Sequence, residues 1–181
     1  VLVNCAGFGA VGHHVRHSPE SLAQMCRLNV NTPSELCALF GRAMRERRRG
    51  HILNVSSVAG YMAIPYFANY SASKAFLISL SDSLHEELRP YGVKVCCLSP
   101  GPVRTKFHAR SNPNYAGDEN SLFSLSPETV AQAGLEGLFG GRRSVVPGLA
   151  NRCCIWLEHL LPRSMVSRFL ALKSEGRKLT D

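Results

Sequence analysis

The stretch HILNVSSVAGYMAIPYFANYSASK, residues 51–74, decides the fold of this chain. It begins as an apolar strand, passes two serines and a loop with one glycine and one proline, and ends in the first turns of a helix. That helix carries Tyr70 and Lys74, and residues four apart lie on the same helix face. The pattern therefore predicts a strand–loop–helix unit that places a phenol beside an ammonium.

The neighbouring Lys74 gives Tyr70 a chemistry that an isolated tyrosine lacks. A phenol has an ordinary pKa of about 10, and moving it to about 7 takes roughly 4 kcal/mol of phenolate stabilisation. One cation about 4 Å away supplies roughly that at an effective dielectric near 20. We therefore expect Lys74 to lower the pKa of Tyr70 and make it a general acid/base, with the Ser57 hydroxyl holding the same substrate oxygen. No side chain accepts a hydride, so such a reaction also needs a nicotinamide cofactor.

Four residues together carry a family resemblance, although a Tyr-x-x-x-Lys pair alone would favour an exposed surface pair. Asn29, Ser57, Tyr70 and Lys74 stand at spacings that resemble the short-chain dehydrogenase/reductase family. The resemblance implies that these four are catalytic, that Lys74 also binds the nicotinamide ribose, and that Asn29 distorts its helix and orders a water leading toward the lysine. From its position alone, Asn29 could equally be a capping or buried structural amide.

Two further segments resemble cofactor-binding motifs of the same family. Residues 4–7, Asn-Cys-Ala-Gly, resemble its N-N-A-G motif with Cys5 in place of the second Asn, and residues 100–105, PGPVRT, resemble its P-G-x-[VI]-x-T segment. The cofactor-binding residues that the resemblance implies are Asn4, Ala6, Gly7, Tyr70, Lys74, Pro100, Gly101, Val103 and Thr105. A G-x-G-x-x-G spacing at residues 7–12 is interpreted as accidental, because the next helix starts only at Ser18 and Pro19.

Apolar strands alternate with helical patterns along the whole chain. The strands are expected at residues 1–4, 52–55, 93–98 and 144–147, and the helices at 18–49, 70–88 and 127–139. This alternation predicts an α/β fold with a doubly wound parallel sheet of the Rossmann type. Such sheets bind ligands beyond the carboxyl ends of their strands, where residues 4–7, Ser57 and 99–105 are expected.

The resemblance covers residues 1–181 as a single partial domain, matching strands four to seven of the family order. The family's first strands and glycine-rich phosphate turn do not occur in this sequence. We therefore expect the first strand to present an unpaired apolar edge and the 181 residues alone to bind dinucleotide poorly and to be inactive.

Two segments outside the alternating pattern have their own composition. Residues 106–125 are rich in Asn, Ser, Pro and Gly, and the resemblance implies a mobile substrate lid there. Residues 149–173 form a C-terminal tail of two amphipathic helical pieces broken at Pro162. The tail is expected to wall the substrate pocket, to pack against another subunit, or to lie on a membrane surface.

Composition excludes several classes of function. The chain is 45% hydrophobic with a formal net charge of +8, but no aromatic interleaving or recognition motif accompanies the charge, so no nucleic acid is expected to bind. The basic run at residues 42–49 is interpreted as a last helical turn with Gly50 as its C-cap. His13, His14 and His17 lack an acid or a cysteine to complete a metal site. The seven cysteines are interpreted as reduced core residues of a cytoplasmic protein.

These features predict an oxidoreductase that interconverts a secondary alcohol and a ketone or other carbonyl, with Tyr70 as the proton donor or acceptor. NADP(H) is favoured over NAD(H), a lipophilic acyl-like or steroid-like substrate is expected, and the complete protein is expected to be a homo-oligomer. Two alternatives stay open: an epimerase or dehydratase acting on nucleotide sugars, and a catalytically idle binding or scaffold protein of the same fold.

Overall fold

The computed structural model describes residues 1–105, 107, 111 and 123–175. Its strands are β1 (Leu2–Asn4), β2 (Gly50–Val55), β3 (Val93–Leu98) and β4 (Ser144–Val145). Its α-helices are α1 (Pro19–Cys26), α2 (Thr32–Glu46), α3 (Ala68–Leu88), α4 (Pro127–Phe139), α5 (Leu149–Leu160) and α6 (Arg163–Glu175). Short 3₁₀ turns cover His14–Arg16, Val58–Gly60 and Arg89–Tyr91.

The four strands form one parallel sheet in the order β1-β2-β3-β4. Its two faces bury alternate residues of the central strands, since successive side chains point to opposite sides. Ile52 and Val95 pack with the helices α2 and α3 on one face, while Leu53 and Cys96 pack with α4 on the other. The predicted doubly wound parallel sheet is therefore confirmed.

Local signals fixed the starts of two helices as the sequence predicts. Ser18 accepts a hydrogen bond from the Ser21 amide at the start of α1, and Ser126 accepts one from the Thr129 amide at the start of α4. In both helices a proline occupies the first turn, where its missing N–H costs nothing. The late start of α1 confirms that the glycines at residues 7–12 open no helix.

The helical stretch between α1 and α2 contains a wide turn that the apolar pattern does not reveal. Residues Arg27–Asn31 form a π-helical turn, which joins the two helices without a break. Asn29 lies at its centre and is only 1% exposed. The helix distortion that the family resemblance implies at Asn29 is therefore present.

Three sequence predictions about these elements are wrong. Gly50 is not a helix C-cap but the first residue of β2, and Arg48 adopts the left-handed backbone, with φ of 54°, that turns the chain after α2. The last strand stops at Val145 rather than at residue 147. Only three of the seven cysteines are core residues: Cys37, Cys96 and Cys97 are buried, whereas Cys5, Cys153 and Cys154 are exposed.

The tail consists of two helices, α5 and α6, separated near Pro162. Most of the predicted lid lies outside the described residues, which include only 107, 111 and 123–125 of that segment. Among the residues that the structure describes, no helix combines the length and the apolar character needed to cross a bilayer. The same residues contain no group of three histidine, cysteine or acidic side chains placed to hold a metal ion.

Two glycine-to-alanine changes should have opposite effects on stability. A β-carbon at Gly60 would lie 2.8 Å from the backbone carbon of Lys74, so Gly60→Ala should lower the free energy of unfolding by about 1–3 kcal/mol through overpacking. Gly41 lies inside α2, and a β-carbon there meets nothing closer than 3.7 Å. Gly41→Ala should raise the free energy of unfolding by up to about 1 kcal/mol through helix propensity. Urea titrations of both variants measure this, and equal effects would contradict the packing described.

Candidate active site

Three of the four predicted catalytic side chains, those of Ser57, Tyr70 and Lys74, converge on one cleft at the carboxyl ends of the strands. Ser57 follows β2, and Tyr70 and Lys74 lie on the first turns of α3, so the loop between them returns the helix to the end of its own strand. All three side chains line a cleft of about 950 Å³. Tyr70 and Lys74 are 7% and 4% exposed. The structure therefore brings these three groups together.

The serines at the end of β2 hold this arrangement in place. Ser56 is buried, and its hydroxyl donates to the backbone carbonyl of Lys74 at 2.7 Å, which ties the strand end to α3. Ser57 accepts from the Ala59 amide at 3.1 Å and thereby starts the 3₁₀ turn. Gly60 in that turn lies against the Lys74 backbone, where a side chain would not fit. These contacts hold the backbone of Lys74 in place and so set the point from which its side chain extends.

The Lys74 ammonium is buried and held by the sheet. Its Nζ donates to the Val55 carbonyl oxygen at 2.9 Å and lies 5.6 Å from the centroid of the Tyr70 ring. Burial lowers the pKa of Lys74 to about 8, and the negative charges of Cys5 and Cys97, in their ionised form, offset this effect in part. The ammonium form therefore still predominates at neutral pH.

The expectation that Lys74 lowers the pKa of Tyr70 toward 7 is not met. Burial raises the pKa of Tyr70 to about 12, and a hydrogen bond with Ser57 lowers it only in part. Phe67 stacks on the Tyr70 ring at 4.3 Å between centroids, and Phe107 lies at 5.5 Å on a tilted plane. Burial in this apolar setting destabilises the charged phenolate. This cost is larger than the stabilisation that the Lys74 ammonium provides, because the ammonium already donates to a carbonyl. Tyr70 therefore keeps its proton at neutral pH.

The Asn29 side chain is buried behind the cleft and connects neighbouring segments through hydrogen bonds. Its Oδ1 accepts from the Phe8 amide at 3.1 Å, and its Nδ2 donates to the Phe8 carbonyl at 2.8 Å and to the Ser73 hydroxyl at 3.1 Å. The Ser73 hydroxyl in turn donates to the Tyr70 carbonyl at 2.7 Å. The π-helical turn thus connects to the turn after β1 and to the first turn of α3. No sequence signal identifies Ser73 as a site residue, although it stands three residues after Tyr70 on the same helix.

The predicted cofactor-binding residues divide into two groups. Pro100, Gly101, Val103 and Thr105 line the cleft, as does Gly7, where a β-carbon would lie 3.1 Å from Asn29 Oδ1 and 3.5 Å from Lys74 Nζ.

Asn4 and Ala6 do not line the cleft. The Asn4 side chain turns into the core, where it donates to Asn54 Oδ1 at 2.7 Å, and Asn54 donates to the Ser81 hydroxyl at 2.9 Å. The prediction that Asn4 contacts the cofactor thus finds no support from its side chain, which instead joins β1, β2 and α3.

Asn151 is a positioning residue that the sequence did not reveal. It lies in the first turn of α5, is 3% exposed, and donates to the carbonyls of Phe123 at 3.2 Å and Pro147 at 3.0 Å. Its side chain packs directly against the backbone of Gly101, leaving no space for a β-carbon there. One amide therefore joins the tail to the turn that borders the cleft. A lone asparagine after a Pro-Gly pair gives no distinctive pattern, so no sequence signal indicated this contact.

The cleft fits the nicotinamide half of a dinucleotide. Lys74 supplies a buried cation, Thr105 a hydroxyl, and Gly7 a backbone stretch that a ligand can approach closely. The rest of the wall is largely apolar and includes Val11, Ile64, Phe67, Val103, Phe107, Val130 and Leu135. The glycines at residues 7–12 open no helix, so they offer no helix N-terminus to a pyrophosphate.

Comparisons with known proteins agree with this geometry. Residues 1–116 match the family described as short chain dehydrogenase. The chain is 31% identical to dehydrogenase/reductase SDR family member 7B of Xenopus tropicalis, covering all of this chain and 60% of that protein. It is 34% identical to the probable short-chain type dehydrogenase/reductase VdlC of Helicobacter pylori, covering 98% and 72%. A third relative is the 3-ketodihydrosphingosine reductase of Bacteroides thetaiotaomicron, 37% identical over 70% of this chain and 47% of that protein.

Solved structures show the same fold. A short-chain dehydrogenase from Sphingobium yanoikuyae in complex with NADPH matches with a TM-score of 0.75 and 25% identity, covering 99% of this chain and 66% of that one. A 7beta-hydroxysteroid dehydrogenase matches with a TM-score of 0.83 and 23% identity, covering 93% and 66%. The chain thus spans about half to two-thirds of the length of most of these proteins.

Replacing the buried ammonium should stabilise the cofactor-free protein. The folded-state pKa of Lys74 is lowered from 10.5 to about 8, so the unfolded chain binds more protons between these values and stability rises with pH through that window. Below pH 8 the full cost is present, about 3 kcal/mol, while the bond to Val55 returns about 1 kcal/mol. Lys74→Met should therefore gain about 2 kcal/mol at pH 7, and this gain should disappear toward pH 10.

Lys94 provides the matched control, because its Nζ also donates to a backbone carbonyl, that of Phe139, but is exposed to solvent. Lys94→Met should bring no gain in stability at pH 7. Urea titrations of the three proteins at several pH values measure the difference. If Lys74→Met were no more stable than Lys94→Met at neutral pH, Lys74 would not carry a burial cost.

Proposed function

The chain belongs to the short-chain dehydrogenase/reductase family, and from this premise we propose that it interconverts a carbonyl and a secondary alcohol with a nicotinamide dinucleotide. The observation that carries the proposal is the convergence of Ser57, Tyr70 and Lys74 on one cleft. These are the groups needed to bind a carbonyl oxygen and to deliver a proton to it. The named relatives and structures include dehydrogenases and reductases, and neither alternative drawn from the sequence is favoured.

The proposed mechanism assigns one task to each side chain. The Ser57 hydroxyl orients the substrate oxygen, and Tyr70 donates its proton to that oxygen as negative charge develops there. Lys74 stabilises the phenolate that remains and binds the nicotinamide ribose. Asn29 positions Tyr70 through Ser73, and the family resemblance implies that it also orders a water near the lysine. The dinucleotide, when bound, supplies or accepts the hydride.

We propose carbonyl reduction as the direction, because burial raises the pKa of Tyr70 to about 12 and so keeps the phenol in the protonated form that reduction requires. We propose NADP(H) over NAD(H), with support from the Sphingobium dehydrogenase that binds NADPH. Phe67, Phe107 and Leu135 on the cleft wall favour a lipophilic substrate.

We also propose that the complete protein is a homo-oligomer that associates through the outer faces of α2 and α3. Leu39 and Phe40 on α2 are 67% and 45% exposed, and Phe76 on α3 is 37% exposed. Exposed apolar residues on two neighbouring helices are typical of a face that another subunit covers.

Tyr70→Phe tests the proposal directly. It removes the proton donor and leaves the ring and its stacking on Phe67, so kcat for carbonyl reduction in the complete protein should fall by about 10²–10⁴-fold. Nicotinamide dinucleotide affinity, measured by fluorescence titration, should change little. Tyr91→Phe is the matched control, because Tyr91 bonds to Arg45 and lies outside the cleft. Residual activity of Tyr70→Phe near that of Tyr91→Phe would refute the assigned role.

A further inference from the structure

The two C-terminal helices expose a row of large apolar side chains, which we call the outer stripe. On α5, Leu149, Trp156 and Leu160 are 70%, 66% and 61% exposed, and on α6 Phe169 and Leu172 are 66% and 64% exposed. The complete outer stripe consists of Leu149, Trp156, Leu157, Leu160, Leu161, Met165, Phe169 and Leu172. A surface of this kind needs a partner, because an isolated soluble domain rarely exposes so large an apolar patch.

The polarity of α5 is reversed relative to an ordinary surface helix. Its buried positions are Asn151, Ile155 and Glu158, two of which are polar. At 3.6 residues per turn, Leu149, Trp156 and Leu160 fall on the opposite side of the helix. The apolar face of α5 therefore points away from the protein core, which is the reverse of the pattern expected for a helix that only covers a domain.

Helix α6 also carries an apolar face that points outward. Val166 and Leu170 are partly buried, whereas Met165, Phe169 and Leu172 are exposed one helical turn apart on the other side. The two helices therefore carry their outward apolar residues in one continuous stretch of sequence across Pro162.

The charges beside the outer stripe have one sign. The exposed charged side chains between Leu149 and Leu172 that the structure describes are Arg152, Arg163 and Arg168. The acid in this stretch, Glu158, is 8% exposed and faces the core. Apolar and aromatic side chains flanked by arginines match a surface of anionic phospholipids, whose headgroups attract the cations while the acyl boundary accepts the apolar groups.

We propose that α5 and α6 lie in the plane of an anionic membrane surface, with the outer stripe inserted at the headgroup boundary. The helices lie on the bilayer rather than cross it, because α5 has 12 residues and spans about 18 Å against an apolar thickness of about 30 Å. A second copy of the chain fits less well, since a symmetric contact would bring two sets of arginines of equal charge together. The proposal goes beyond the proposed function and does not depend on it.

Trp156 provides a built-in probe, because it is the only tryptophan in the 181 residues and lies on the outer stripe. Vesicles of phosphatidylcholine with phosphatidylserine should shift its fluorescence emission to shorter wavelength, and brominated lipids should quench it. Vesicles of phosphatidylcholine alone should bind at least about tenfold more weakly. An emission spectrum that the anionic vesicles leave unchanged would overturn the proposal without any variant being made.

Variants separate the two contributions while keeping Trp156. Leu160→Ser with Phe169→Ser should reduce partitioning into anionic vesicles at least about tenfold, and Arg152→Glu with Arg168→Glu should abolish the preference for anionic over neutral vesicles. Val15→Ser is the matched control, because Val15 is 91% exposed but lies in the 3₁₀ turn before α1, and it should bind like the unaltered protein.

Size-exclusion chromatography with light scattering tests whether a second copy of the chain covers the outer stripe instead. If Leu160→Ser with Phe169→Ser split a dimer and the unaltered protein ignored vesicles, the outer stripe would be a subunit interface and the proposal would be wrong. Carbonyl reductase activity in detergent-free solution is measured separately, so the loss of vesicle binding and the loss of activity are independent results.

Discussion

The rest of the site depends on one buried hydrogen bond, from the Lys74 ammonium to the Val55 carbonyl. A cation that is 4% exposed survives only where the fold supplies an acceptor and prevents the chain from moving away. Here the acceptor is the last residue of β2, and the helix is held to the same strand by the bond from Ser56 to the Lys74 carbonyl. Main-chain contacts therefore position the cleft, and its reactive groups are held in place by the sheet.

Polar bonds behind the cleft extend this constraint to the neighbouring elements. Asn29 connects the π-helical turn to the turn after β1 and, through Ser73, to the main chain of Tyr70. On the other side of the sheet end, Asn4 and Asn54 join the two strands through side-chain amides. Each of these amides is buried and hydrogen-bonded, so each fixes the alignment of neighbouring segments and tolerates substitution poorly.

The sequence predicted what local rules determine. The capping serines Ser18 and Ser126, the apolar run of β3 and the four-residue spacing from Tyr70 to Lys74 all gave correct placements, because each depends on residues close in the chain. The predicted direction of the Tyr70 pKa shift was wrong, because the shift depends on burial, to which Phe107 from a distant segment contributes beside the neighbouring Phe67.

The same limit explains the core-facing Asn4 and the contact of Asn151 with Gly101, each of which pairs residues about 50 apart in the chain. Because Asn151 is buried against that glycine and bonds to the carbonyls of Phe123 and Pro147, α5 cannot slide or rotate by a turn without breaking those bonds. Helix α5 and the Gly101 turn at the edge of the cleft are therefore expected to move together. A displacement of α5 should also shift the backbone of Gly101 beside the cleft.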